Sequence, residues 1–132
     1  MMRKLLSFLF VLIALAVIGG NIGAQTPKRI QFVKGASSAV VTGTTGEHGV
    51  YYVLRAKSGQ KLVLDLLPIS KVGIKVEFDG RYGEMTLLRE EKGGRYEIGL
   101  EESGDYTIFV GSINNKPVRF SLAVKLTKLA DI

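Results

Sequence analysis

The residues in this sequence that are suited to chemistry are few and scattered. The single histidine is His48, in Thr44-Thr45-Gly46-Glu47-His48-Gly49, and the flanking glycines mark a turn. A Ser–His–Asp mechanism would have to use it, and no nucleophile-elbow pattern accompanies it. Cysteine is absent, so no thiol nucleophile is available. Zinc ordinarily takes at least three His, Cys or carboxylate ligands, and one histidine falls short. Paired acids occur at Glu90-Glu91 and Glu101-Glu102. General acid–base work needs two carboxyls at a set separation with their pKa values pushed apart. Adjacent residues on a strand point to opposite faces, so neither pair is expected to aim at one point. Glu77, Asp79 and Glu84 flank the turn Asp79-Gly80-Arg81-Tyr82-Gly83. Three carboxylates beside a glycine turn could hold calcium, but they lack the regular spacing of a calcium loop. The inventory predicts no catalytic residue, no resident metal and no cofactor.

Binding residues are better represented. Gly111-Ser112-Ile113-Asn114-Asn115-Lys116-Pro117-Val118 is polar, carries a cation and lies between two long apolar runs. Loops held by rigid strands are where binding concentrates. Asn114, Asn115, Lys116 and Arg119 are therefore candidate partner-binding residues, together with Tyr82 in the earlier turn. Tyr51, Tyr82 and Phe109 are expected to be exposed, and amphipathic aromatics suit contact surfaces.

The elements that must position these residues are strands. Nine are predicted: Arg29–Val33, Ala39–Gly43, Val50–Lys57, Lys61–Leu67, Gly73–Phe78, Met85–Arg89, Tyr96–Leu100, Tyr106–Gly111 and Val118–Leu126. Tyr52, Leu54 and Ala56 alternate with Arg55 and Lys57, and Leu62, Leu64 and Leu66 with charged neighbours. Ile74, Val76 and Phe78, then Tyr106, Ile108 and Val110, then Phe120, Leu122, Val124 and Leu126, repeat the pattern. Period-2 patterning means one buried face and one wet face, and two such sheets make a sandwich. Lys57-Ser58-Gly59-Gln60, Lys92-Gly93-Gly94-Arg95 and Glu102-Ser103-Gly104-Asp105 read as tight hairpins. Pro68 ends a strand and opens a crossover. The fold class expected is an all-β, antiparallel, jelly-roll-like sandwich.

The chain begins Met1-Met2-Arg3-Lys4, followed by the apolar run Leu5–Ile18 and then Ile22-Gly23-Ala24. Basic start, apolar middle and small-residue end are the parts of a secretory signal peptide. The run of about 14 residues is shorter than the about 20 of a spanning helix. Residues 1–24 are thus expected to be a cleaved helical signal peptide, and 25–132 one β-sandwich domain. The expected location is periplasmic or extracellular, with no stable membrane insertion after cleavage. A domain of this size supports its own core without disulfides. The formal charge of +6 falls to +4 when Arg3 and Lys4 leave. The remaining charges form no Lys/Arg block and no basic–aromatic interleaving, so no nucleic acid partner is expected.

Three segments together resemble a known group: Arg29-Ile30-Gln31-Phe32-Val33-Lys34-Gly35-Ala36-Ser37-Ser38-Ala39-Val40-Val41-Thr42-Gly43-Thr44, Tyr52-Val53-Leu54-Arg55-Ala56-Lys57-Ser58-Gly59-Gln60, and Glu102-Ser103-Gly104-Asp105-Tyr106-Thr107-Ile108. Their order is similar to that of small periplasmic proteins related to the inhibitor of g-type lysozyme. The sandwich of that group resembles the bacterial pre-peptidase C-terminal (PPC) domain. The resemblance spans nearly all of residues 25–132. It implies a binding protein, not an enzyme, whose loop between the last strands enters a lysozyme cleft, with basic side chains on and beside the loop. Related sequences often carry a longer, arginine-rich loop with an arginine just before it, whereas this chain has Phe109, Val110, Lys116 and Arg119. Inhibition of a lysozyme is one expectation. The alternative is a PPC-like module that binds an envelope glycan or protein without inhibiting.

Overall fold

In a computed structural model, the structure describes residues 26–80 and 83–128. The predicted signal peptide and Tyr82 lie outside the described residues. Nine strands are present: β1 (Lys28–Arg29), β2 (Ser38–Thr44), β3 (Val50–Ala56), β4 (Gln60–Leu67), β5 (Val72–Gly80), β6 (Gly83–Lys92), β7 (Gly94–Gly99), β8 (Gly104–Ser112) and β9 (Arg119–Lys128). Among the described residues there is no helix.

The strands form one sheet in the order β1-β3-β8-β5-β6 and a second in the order β2-β9-β4-β7. Every link from β2 to β9, except that between β5 and β6, carries the chain from one sheet to the other. That is the winding of a jelly roll. The three predicted hairpins are corrected by it. Lys57–Gln60 joins β3 to β4, Gly93 joins β6 to β7, and the segment before Gly104 joins β7 to β8, each across the two layers. Glycine-rich turns suit either connection, so turn chemistry alone did not reveal which strands pair.

Alternation supplies the core. Tyr52, Leu54, Leu62, Leu64, Leu66, Ile74, Val76, Tyr106, Ile108, Val110, Leu122 and Val124 are all buried. Their polar neighbours in sequence face outward, as period-2 patterning requires. Arg29–Val33 is a shorter strand than predicted, and β1 pairs parallel to β3 through Lys28↔Tyr52 and Arg29↔Val53, against the antiparallel expectation. The reason is topological. After the Ile30 amide donates to the Val53 carbonyl at 2.9 Å, the chain must leave this sheet to start β2 in the other. Ile30 is buried and Phe32 packs on the core, while Val33 is 79% exposed.

The three segments that carry the family resemblance meet at one end of the sandwich. Arg29 holds Asp105 with two hydrogen bonds, at 3.0 and 3.2 Å. The Ser58 amide donates to Ser103 Oγ at 2.9 Å, and the Gly59 amide to the Leu100 carbonyl at 2.9 Å. The buried Tyr106 hydroxyl donates to the Glu102 carbonyl four residues upstream, a tyrosine corner. Its ring stacks on Phe78 at 4.4 Å. Gly104 (φ 151°) leaves room for that Phe78 ring, which would lie 2.9 Å from an added Cβ.

The Arg29 guanidinium, hydrogen-bonded to Asp105, holds the Asp105 carboxyl below its usual 3.8. A carboxyl whose folded pKa is depressed stabilises the fold above its unfolded value, and that contribution is lost as pH falls through the folded value. Asp105→Asn is therefore expected to lower the urea midpoint at about pH 6, and the difference from the parent should be smaller at about pH 2.5. An equal difference at both pH values would show that the ion pair is not its source.

Candidate functional site

The crossing links place four connections at the end of the sandwich away from the Arg29–Asp105 pair. They are residues 45–49, 68–71, Gly93 and residues 113–118. The last is the loop singled out by its sequence, and it is braced. The Ile113 amide donates to the Lys71 carbonyl at 3.1 Å. Thr45 is fully buried and clamps the far side: its amide donates to the Val118 carbonyl, and its Oγ1 accepts from the Val118 amide, both at 2.9 Å. A buried hydroxyl needs such a partner. Asn114 turns inward on the loop, its Oδ1 accepting from Ser112 Oγ at 3.0 Å and from the Lys116 amide at 3.2 Å. Asn115 has φ 61°, a left-handed conformation that asparagine tolerates better than most residues. Asn115, Lys116 and Pro117 stay exposed, and Ile113 is 56% exposed.

Between this loop and the 45–49 link runs an open groove of about 390 Å³. Glu47, His48, Ser112, Ile113 and Asn115 line its sides, and Gly73, Phe109 and Gly111 its floor. Phe109 projects from the outer face of its sheet. Its ring lies over two glycines: a Cβ on Gly49 would stand 2.4 Å from it, and one on Gly111 2.9 Å. Tyr51, directly opposite on β3, packs against it with ring centroids 4.9 Å apart, tilted by 50°. On the other flank, Lys75 Nζ lies 5.7 Å from the Phe109 centroid and 2.9 Å from Glu77 Oε1. The ring is thus fixed from three sides while half-buried.

The candidate residues do not gather in one place. Asn115 lines the groove, and Lys116 stands at the loop tip beside it. Arg119, on β9, pairs with Thr44 of β2 and lines a separate shallow depression with Thr42, Gly43 and Thr44. The acid pair Glu101-Glu102 corrects the expectation that its members would not aim at one point: it lies in the β7–β8 link. Both residues line the depression at the opposite end, with Asp79 and Asp105. Glu77 is engaged by Lys75, and Asp79 faces Glu84 across the β5–β6 register. Among the described residues no group of three or more His, Cys, Asp or Glu is placed to hold a metal ion. The loop itself carries one cation, Lys116, and Glu47 lies on the opposite wall of the groove. No local pattern in the sequence tied the groove's other wall, Glu47–Gly49, to Phe109, because the two segments are distant in the chain.

Fold and site together define a jelly-roll β-sandwich that presents a braced, cationic loop and an adjoining aromatic-floored groove at one end. Among solved structures the chain is similar to PliG of Aeromonas hydrophila, a periplasmic inhibitor of g-type lysozyme. The identity is 28% over 77% of this chain and 96% of that one, with a TM-score of 0.67. A mutant of the Escherichia coli PliG matches at 24% identity and a TM-score of 0.60, over 79% of this chain and all of that one. The pre-peptidase C-terminal domain of a Bacillus anthracis collagenase matches at 13% identity and a TM-score of 0.52, over 76% and 96%. These last two likenesses are of fold alone. The resemblance to PliG-type inhibitors and to the PPC module is borne out. No protein-family model matches the chain, and no curated protein matches it significantly.

The seat of Phe109 gives a direct check of the groove. Gly49 combines φ 78° with contact to the ring. Gly49→Ala is expected to cost at least about 1 kcal/mol in chemical denaturation and to raise the mobility of Phe109 ring signals in NMR spectra. An alanine variant as stable as the parent, with unchanged ring signals, would remove the glycine seat as the element that fixes Phe109.

Proposed function

We propose that the chain is an exported, non-catalytic binding protein of the periplasm that inhibits a g-type lysozyme by placing the loop between β8 and β9 in the enzyme's cleft. The observation that carries this reading is the match to the Aeromonas hydrophila inhibitor over 96% of that chain. The braced loop adds a physical reason. A glycosidase cleft is built around carboxylates, and a cationic loop complements them electrostatically. Bracing through Thr45, Lys71 and Asn114 removes ordering cost that a floppy loop would incur on binding. Removal of residues 1–24 on export belongs to the same proposal.

The test is a cell-wall lysis assay with residues 25–132 added to a g-type lysozyme. Inhibition is expected at about micromolar concentration or below, weakening as salt is raised because the contact is charge-assisted. Lys116→Ala is expected to weaken it about tenfold, equivalent to about 1.4 kcal/mol, while Arg95→Ala on β7 leaves it unchanged. Full lysozyme activity at a large excess of the protein would end this reading.

The Tyr51–Phe109 pair favours a second reading, an envelope glycan- or protein-binding module without inhibition. Half-exposed aromatics fixed beside polar groove residues suit stacking on an amphipathic partner. Here soluble peptidoglycan fragments should shift the NMR signals of Phe109 and Asn115, and Phe109→Ala should abolish the shifts. Fragments that leave the spectrum of the parent unchanged count against a glycan partner.

A further inference from the structure

Two open sheets leave four strand edges, and three of them are guarded. β1 has only two residues, Lys28 and Arg29, and follows Pro27. β6 carries Glu84, Arg89, Glu91 and Lys92, and its register with β5 is broken by irregularities. β7 is six residues long and carries Arg95 and Glu97. Short length, charge, proline and bulges are the devices by which a sheet edge avoids pairing with another chain.

β2 has none of them. Its seven residues, Ser-Ala-Val-Val-Thr-Gly-Thr, contain no charge and no proline. Its pairing with β9 runs unbroken from Ser38↔Lys125 to Thr44↔Arg119. The nearest charges in sequence are Lys34 and Glu47. No strand lies on its other side among the described residues. Its residues alternate between exposed and half-buried, where the inner faces of β3, β4 and β9 are buried. Even the inward-facing Ala39 and Val41 are only half-buried. Val40, on the outer face, is 66% exposed.

We infer that β2 is the dimerisation edge of this protein, pairing antiparallel with β2 of a second copy to join the two four-stranded sheets into one. The sequence fits a two-fold pairing centred on Val41. Val40 then meets Thr42, Ser38 meets Thr44, and Ala39 meets Gly43, each twice. Such an isologous contact brings residues close to the axis near their own copies, so a charge there would lie beside a like charge. β2 is the long edge on which that repulsion does not arise. β-Branched pairs such as Val–Thr favour strand pairing. This edge is distinct from the groove that Proposed function uses, so inhibition and pairing are independent.

The area is small. One pair of seven-residue strands buries less than the about 1,200 Å² of a standard interface, so the dimer is weak and depends on concentration. Sedimentation velocity on residues 25–132, from about 1 to about 500 µM, is expected to show a shift from monomer toward dimer across that range. Val40→Lys and Thr42→Lys each place two like charges diagonally across the two-fold on one face of the joined sheet and are expected to leave a monomer at every concentration. Their thermal midpoints should match the parent, since both sites are exposed. Amide exchange of residues 38–44 should slow with concentration in the parent and not in the variants. A parent that stays monomeric to the highest concentration overturns the inference, as does a dimer that survives both lysine substitutions.

Discussion

The inner faces of the two sheets can leave water only against each other, and much of this molecule follows from how the chain satisfies that. Apart from β5 and β6, successive strands do not pair with their neighbours in sequence. They alternate between layers, so that each new strand brings its apolar stripe against the previous one. Leu62, Leu64 and Leu66 of β4 and Tyr52 and Leu54 of β3 belong to opposite layers of one core although a short glycine turn joins their strands. Burial of apolar area of this kind is the largest favourable term in folding. The connections are thereby forced to the two ends of the sandwich, where no strand covers them. Binding residues on connections are consequently gathered at the ends as well.

The two ends are used differently. One is a fastening: Arg29 to Asp105, Ser58 to Ser103, and the Tyr106 hydroxyl to the Glu102 carbonyl tie three distant segments together. These are also the segments whose sequence resembles the lysozyme-inhibitor group. Their residue types are demanded by the corner itself: a glycine where the Phe78 ring passes, and a tyrosine whose hydroxyl reaches back four residues. A resemblance carried by such residues speaks to architecture first. The physical support for the functional reading comes from the other end, where Thr45 and Lys71 hold the last loop and Phe109 lies across two glycines.

That second end shows how a loop with modest charge can still be a defined surface. Lys116 and Asn115 are exposed, but the backbone beneath them is tied at Ile113, Asn114 and Val118. The short link between β8 and β9 stands beside a fixed aromatic ring. Tyr51 and Lys75 flank the ring on neighbouring strands, so its position is set by sheet register and not by the loop. Register errors would move it to the core face, and the buried alternation of β8 prevents them.

The sequence by itself determined the strands, because period-2 alternation is a local property that any half-buried strand must obey. The inward residues of β3, β4, β5, β8 and β9 were legible for that reason, and so were the eight longer strands to within a few residues at their ends. It also identified the loop after β8 from its polarity between two apolar runs. It did not determine pairing. A glycine turn is equally compatible with a hairpin and with a crossing between layers, so three apparent hairpins proved to be inter-sheet links. The parallel contact of β1, the joint depression of Glu101 and Glu102, and the separation of Arg119 from Asn115 also follow from topology. The groove was the least legible feature, since its walls come from segments about 65 residues apart, His48 and Asn115 among them, and only the pairing of β3 with β8 brings those segments together.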